Sequence, residues 1–228
     1  LLDLVNTPSV NISTIEDPIE YQMPRINQTQ VKPDIGFTFA SGLRSLVRQD
    51  PDIIMVGEIR DKETANLAIN AALTGHLVLS TLHTNSAAGA VARLLDMGVE
   101  PFLLASTLRV VIGQRLTRKL CGKEEYTLTR EESTHLEQVV DAGVVLTALK
   151  SEGIVPKTAL WKNVPFFKAK PTEDCPEGFS GRVGIYEVMN MTETIKHQIM
   201  SGATTDDIHA QARKEGMLTM LEDGIFKS

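Results

Sequence analysis

Two periods of apolar residues alternate along the first half of the chain. Ile53-Ile54-Met55-Val56 is an unbroken apolar run, which predicts a strand buried on both faces, and it closes with Gly57-Glu58. Val10 to Ile15, Gln28 to Val31 and Leu77 to Leu82 read as further strands. Phe39, Leu43, Leu46 and Val47 recur at helical spacing through Asp50. Asp61 is placed to cap a helix that passes through Ala65, Ala68, Ile69 and Ala72 to a stop at Gly75. Helices over Ser86 to Met97, ended by Gly98, and over Pro101 to Val111 follow. Strand and helix in alternation predict an α/β sheet.

From about Leu120 to Cys175 the pattern changes to clusters of Glu and Lys, a helical stretch near Leu136 to Leu149, and an irregular Pro156 to Pro171 segment holding Trp161. This region reads as an inserted subdomain. Val183 to Val188 predicts a strand. Ile195 with Ile199, and Ile208 with Ala212, sit at helical spacing, with Thr204 and Asp207 placed for capping. A small helical bundle is expected to close the chain.

The 228 residues are 42% hydrophobic and 23% charged, enough for one large globular domain and a smaller one. No apolar run reaches the length of a bilayer span, and no signal-peptide pattern opens the sequence. A net charge of −6 argues against nucleic acid as the main ligand. The two cysteines are expected as buried reduced thiols.

Glu58 changes this picture. Open α/β sheets bind ligands at the carboxyl ends of their strands, and a nucleotide's Mg²⁺ and attacking water need oxygen ligands beside the phosphates. A buried strand ending in an acid is how a Walker B strand looks. Taken alone, the same run is equally an ordinary core strand with a solvated Glu.

The wider pattern decides. Leu46-Val47-Arg48, Pro51-Asp52, the apolar run, Gly57-Glu58 and Arg60-Asp61 together resemble the defining motif of the secretion and pilus ATPases, which comprise the type II secretion traffic ATPases and the type IV pilus assembly and retraction motors. Ile12-Ser13-Thr14-Ile15-Glu16-Asp17-Pro18-Ile19-Glu20-Tyr21 looks like that family's acidic box. Gly75-His76 through Thr81-Leu82-His83-Thr84 looks like its histidine box, and Gly181-Arg182-Val183-Gly184-Ile185-Tyr186-Glu187 like the strand that opens its C-terminal helical subdomain. The resemblance implies a RecA-like P-loop NTPase core over 1–119, an inserted subdomain over 120–180 and a C-terminal helical subdomain over 181–228.

It also implies roles. Glu16 is the candidate for orienting or deprotonating the attacking water, and Glu58 for acting on Mg²⁺; which of them is the base stays open. Asp17, Glu20, Asp52, Gly57, Arg60 and Thr81 are expected near nucleotide and Mg²⁺. His83 would sense the γ-phosphate, and His76 would lie near the nucleotide or at a subunit boundary. Arg44, Arg48 and Arg115 are candidates for phosphate or intersubunit arginines, with surface ion pairing as the alternative. Arg118 stays open.

Two departures from the family stand out. A P-loop needs Gly-x-x-x-x-Gly-Lys-Ser/Thr, and the one Gly-Lys pair, Gly122-Lys123, is followed by Glu124. The family's P-loop falls just upstream of the helix that Leu1 to Thr7 would finish, so the chain is expected to start after it and to stop within the helix that Met217 opens. Assembly-type members carry four cysteines in the insertion, whereas this chain has Cys121 and Cys175 alone, so no zinc is expected. The insertion itself favours an assembly or secretion motor over a retraction motor. The expected protein is a homo-hexameric ATPase using ATP and Mg²⁺ at the cytoplasmic face of the inner membrane. It would act on a membrane platform protein in pilus assembly or type II secretion, with no nucleic acid partner. Another RecA-like conjugation or DNA-uptake ATPase, or a non-catalytic interaction fragment, are the competing readings.

Overall fold

The computed structural model describes residues 1–227 and divides into two compact units. The first comprises Leu1–Arg109 and Met191–Ile208, and the second Val110–Asn190 and the residues from His209 on.

In the first unit, α1 (Leu2–Val5) leads to β1 (Ile12–Glu16) and β2 (Ile26–Gln30), then α2 (Phe39–Leu46), β3 (Ile53–Val56), α3 (Lys62–Leu73) and β4 (Leu77–Ser80). The strands form one parallel sheet in the order β2-β1-β3-β4, with Ile12 in register with both Ile26 and Ile53, and Ile53 with Leu77. Successive side chains of a strand alternate between faces, so Ile15, Ile54 and Val56 share one face. They pack against Leu43 and Leu46 of α2 and Ala68 and Ala71 of α3. On the other face Ile12, Ile26 and Ile53 meet Leu2 and Val5 of α1. Gly42 is where α2 crosses β1, and a Cβ there would run into the Ile15 side chain. The start of each helix is encoded locally: Thr38 and Ser41 form a reciprocal cap on α2, and Asp61 accepts from Thr64 N at 2.8 Å to cap α3.

Then come α4 (Ala87–Asp96, capped by Ser86) and α5 (Pro101–Thr107). The helix expected through Val111 ends at Thr107, because Leu108 turns extended and Val110 begins β5 (Val110–Leu120). β5 pairs antiparallel with β8 (Phe179–Asn190), from Val110 opposite Asn190 to Leu120 opposite Phe179. A partner so distant in sequence leaves no local periodicity, and the β-branched Val110, Val111 and Ile112 follow it rather than the helical spacing.

The second unit contains the β5–β8 ribbon and a hairpin of β6 (Lys123–Tyr126) with β7 (Phe166–Ala169). The single helical stretch expected near Leu136 to Leu149 is two helices, α6 (Arg130–Val139) and α7 (Ala142–Ser151). Val140 is extended between them, and Asp141 caps α7. Cys121 and Cys175, expected as free thiols, form a disulfide with their Cα atoms 6.4 Å apart. Their two segments are already joined by main-chain bonds from Cys121 N to Gly178 O and from Lys170 N to Gly122 O, which brings the sulfurs together.

Three helices end the described chain: α8 (Glu193–Met200), α9 (Thr205–Lys214) and α10 (Met220–Lys227). Within the first unit α8 packs on α5, and Thr204 and Asp207 cap α9 reciprocally. Within the second, α10 lies along β8 and against α7.

Candidate functional site

The site lies at the carboxyl ends of the two central strands. Because β1 and β3 are parallel with Ile15 opposite Val56, their exits deliver Glu16 beside Gly57, with Glu58 next along the chain. Gly57 N donates to Ile15 O at 2.7 Å. A Cβ on Gly57 would stand 3.1 Å from Ile15 O and 3.3 Å from Glu16 Cα, so glycine is what lets the two strand exits run against each other. β4 is tied in next: Thr81 Oγ1 donates to Gly57 O at 2.6 Å and Ile59 N to Thr81 O at 3.0 Å.

Glu58 is largely enclosed, its side chain 13% exposed. Arg60 Nη2 donates to Oε1 at 2.5 Å, and Arg60 Nη1 stands 3.9 Å from Asp17 Oδ2, so the guanidinium bridges two acids. His83 Nε2 lies 3.2 Å from Oε2, an ion pair when the ring is protonated. Oε2 is buried, receives no hydrogen bond of good geometry, and faces the His83 ring. The Arg60 hydrogen bond holds the Glu58 carboxyl below its ordinary range; burial opposes this, and the charges of Arg60 and His83 add to it. Glu58 is therefore a carboxylate near neutral pH, with one oxygen bonded to Arg60 and the other facing His83.

Glu16 is buried and held differently. Its Oε1 accepts from Thr14 Oγ1 at 2.5 Å and Gln28 Nε2 at 3.0 Å, while Oε2 receives no hydrogen bond among the described residues. Thr14 lies two residues back on the same face of β1, and Gln28 is its register partner on β2. The sequence reading missed both holders. The i, i+2 spacing of Thr14 and Glu16 was a usable signal for one of them, while Gln28 depends on strand pairing.

Asp17, Gly57, Glu58, Arg60, Thr81 and His83 thus gather with Glu16 at one edge. Others do not join them. Asp52 precedes β3 and accepts from Asn11 N at 2.7 Å through Oδ2, closing the amino end of the sheet. His76 precedes β4, with Nδ1 2.8 Å from Ala71 O. Four residues of parallel strand, about 13 Å, separate that end from the Glu58 end. The two histidines are at opposite ends because a strand lies between them. Glu20 is exposed. Arg44 is paired with Glu63 on α3, Arg48 is exposed in the turn after α2, and Arg115 lies on β5 of the second unit.

A parallel α/β sheet with carboxylates at the exits of its central strands is consistent with a P-loop ATPase fold. The chain belongs to the type II/IV secretion system protein family, whose model matches residues 1–228. It is 47% identical over its whole length to the type II secretion system protein E of Xanthomonas campestris pv. campestris, covering 37% of that protein. It is 44% identical, again over its whole length, to the type IV pilus assembly ATPase PilB of Thermus thermophilus, covering 24%. The chain therefore spans only about a quarter to two fifths of the curated relatives it matches. Among solved structures, the pilus retraction motor PilT with bound ADP superposes with a TM-score of 0.58 at 27% identity, over 97% of this chain and 54% of that one. The ATPase DotB of Legionella pneumophila shares the fold, with a TM-score of 0.57 at 23% identity over 97% and 48% of the two chains.

Proposed function

We propose that these residues form the acid edge of the ATP-hydrolysing site in a motor of type IV pilus assembly or type II secretion. One observation carries the reading: Glu58, at the exit of a central strand, is kept ionised by Arg60 while its second oxygen is buried and unbonded. Magnesium is commonly held by one or two carboxylates together with nucleotide phosphates and water, which suits an ionised carboxylate at a strand exit. No described cluster of three His, Cys, Asp or Glu could hold a metal by itself, so phosphates would supply the remaining ligands. When bound with ATP, the ion would neutralise charge developing on the phosphates.

The chain's own residues divide the remaining work. Glu58 is the ligand on the metal side, since a carboxylate stabilised as an anion is a poor proton acceptor. Glu16, with Oε1 saturated and Oε2 open, orients the attacking water. Arg60 holds Glu58 and Asp17 together, and Thr81 fixes the exit of β4 to that of β3. His83, 90% exposed and 3.2 Å from Glu58, would exchange that contact for the γ-phosphate. Asp52, His76 and Arg44 serve the scaffold, whereas Arg48 and Arg115 are the arginines for a neighbouring subunit.

On this reading 1–119 is a RecA-like core, 120–180 an inserted subdomain and 181–228 a C-terminal helical subdomain. Six copies would convert hydrolysis into subunit closure, passed to a platform protein at the cytoplasmic face of the inner membrane. The names of the relatives support assembly or secretion: pilus assembly ATPases and secretion proteins E stand at 42–47% identity. The test is Mg²⁺-dependent ATP hydrolysis by the full-length protein. Glu58→Gln should cost about 100-fold or more in kcat and leave nucleotide binding in place; a full-length wild type that does not hydrolyse ATP, or a Glu58→Gln protein as fast as wild type, refutes it.

A further inference from the structure

The loop between β1 and β2 carries Asp17, Glu20 and the exposed Tyr21, and it is fastened to the sheet mainly through one side chain. Gln28 Nε2 donates to Tyr21 O at 2.9 Å as well as to Glu16 Oε1 at 3.0 Å, and Gln28 Oε1 accepts from Met23 N at 2.7 Å. Both amide hydrogens and the carbonyl oxygen are therefore in use, and the orientation of the amide is fixed by its partners: Met23 N requires an acceptor, and Glu16 and Tyr21 O require donors. Gln30, two residues on, offers a longer contact to Ile19 N at 3.5 Å.

We infer that Gln28 is a positioning residue for hydrolysis, coupling the 17–23 loop to the carboxylate of Glu16. The inference rests on the role proposed above for Glu16. By occupying Oε1 from the β2 side while Thr14 occupies it from below on β1, Gln28 fixes the rotation of the carboxylate and leaves Oε2 as its reacting oxygen. The same amide binds two main-chain groups of the loop, so a loop displacement on nucleotide or subunit contact pulls on Glu16 directly. No other side chain among the described residues bonds both to Glu16 and to this loop. Glutamine is required chemically: Glu at this position keeps the shape and sets a carboxylate against Glu16 and the Tyr21 carbonyl, and Met keeps the length and removes all three bonds.

The test uses the full-length protein with Gln28→Met, Gln28→Glu, Glu16→Gln and the Glu16→Gln/Gln28→Met double variant. Gln28 is half-buried on the edge strand β2, and thermal unfolding of each variant checks the fold. Gln28→Met should lower kcat by about 10- to 100-fold, the scale of a misplaced reacting group, with KM and ATP binding within about twofold. Gln28→Glu should be at least as slow. The double variant should be no slower than Glu16→Gln alone, because the two residues act as one unit. Amide exchange at Met23, measured without nucleotide, should quicken in Gln28→Met. Unchanged kcat, a loss confined to KM, multiplicative losses in the double variant or unchanged exchange at Met23 would each overturn the inference. An inactive wild type would instead remove the hydrolase reading on which it rests, while the exchange measurement still reports on the clamp.

Discussion

Glu222 has no exposure to solvent, and both of its oxygens are doubly engaged. Oε1 accepts from Asp141 N at 2.8 Å and Arg213 Nη2 at 2.6 Å, and Oε2 from Thr219 N at 2.8 Å and Arg213 Nη1. This one carboxylate thus joins the N-termini of α7 and α10 to α9. In Glu222→Gln the amide nitrogen must face a main-chain N–H and a guanidinium N–H whichever way it is turned, and Arg213 loses its counter-charge. Removing one partner of a buried pair costs about 3–5 kcal/mol. With a urea m-value of about 2 kcal/mol/M, the midpoint should fall by roughly 1.5–2.5 M. Trp161 is the only tryptophan and packs into the cluster of Val145, Leu149, Ile225 and Phe226, so its fluorescence follows this transition. The pH dependence has a definite sign. Burial alone would raise the Glu222 pKa, but the amides of Thr219 and Asp141 and the hydrogen bond and charge of Arg213 outweigh it and hold the folded carboxyl below its ordinary range. The stabilisation is therefore complete above the ordinary carboxylate range and is lost as pH falls through the lowered folded value, so the gap between wild type and Glu222→Gln should close in acid. A midpoint within about 0.3 M of wild type at neutral pH would refute this account.

Gly57→Ala presses a methyl group onto the backbone of Ile15 and Glu16; it should destabilise by about 1–3 kcal/mol and lower ATP hydrolysis of the full-length protein, read by melting and by turnover. Leu43→Ala empties a fully buried position between α2 and the sheet and should cost about 2–5 kcal/mol in denaturant titrations, without altering the carboxylates. His83→Ala removes an exposed ring and should leave stability within about 0.5 kcal/mol, yet slow hydrolysis if the ring meets the γ-phosphate.

The site is legible wherever a local rule fixes geometry. A continuous apolar run such as Ile53 to Val56 fits a strand buried on both faces, and in a parallel sheet that places Gly57 and Glu58 at its carboxyl edge. Asp61, Ser86 and the Thr204–Asp207 pair are caps whose partners lie three residues away, within reach of sequence reasoning. Pairing at a distance is what the sequence left undetermined. The strand character of Val110 to Leu120 comes from a β8 some seventy residues on, the meeting of Cys121 with Cys175 depends on turns at both segments, and the break at Val140 separates helices whose spacing alone looked continuous. The same division runs through the carboxylates. The sequence determined that acids would stand at the strand ends. The parallel register of β1, β2 and β3 decided that Gln28 would bind Glu16, that Arg60 would bridge Glu58 to Asp17, and that Asp52 and His76 would be left at the far end, because side-chain neighbours across a sheet are set by strand order and not by spacing along the chain.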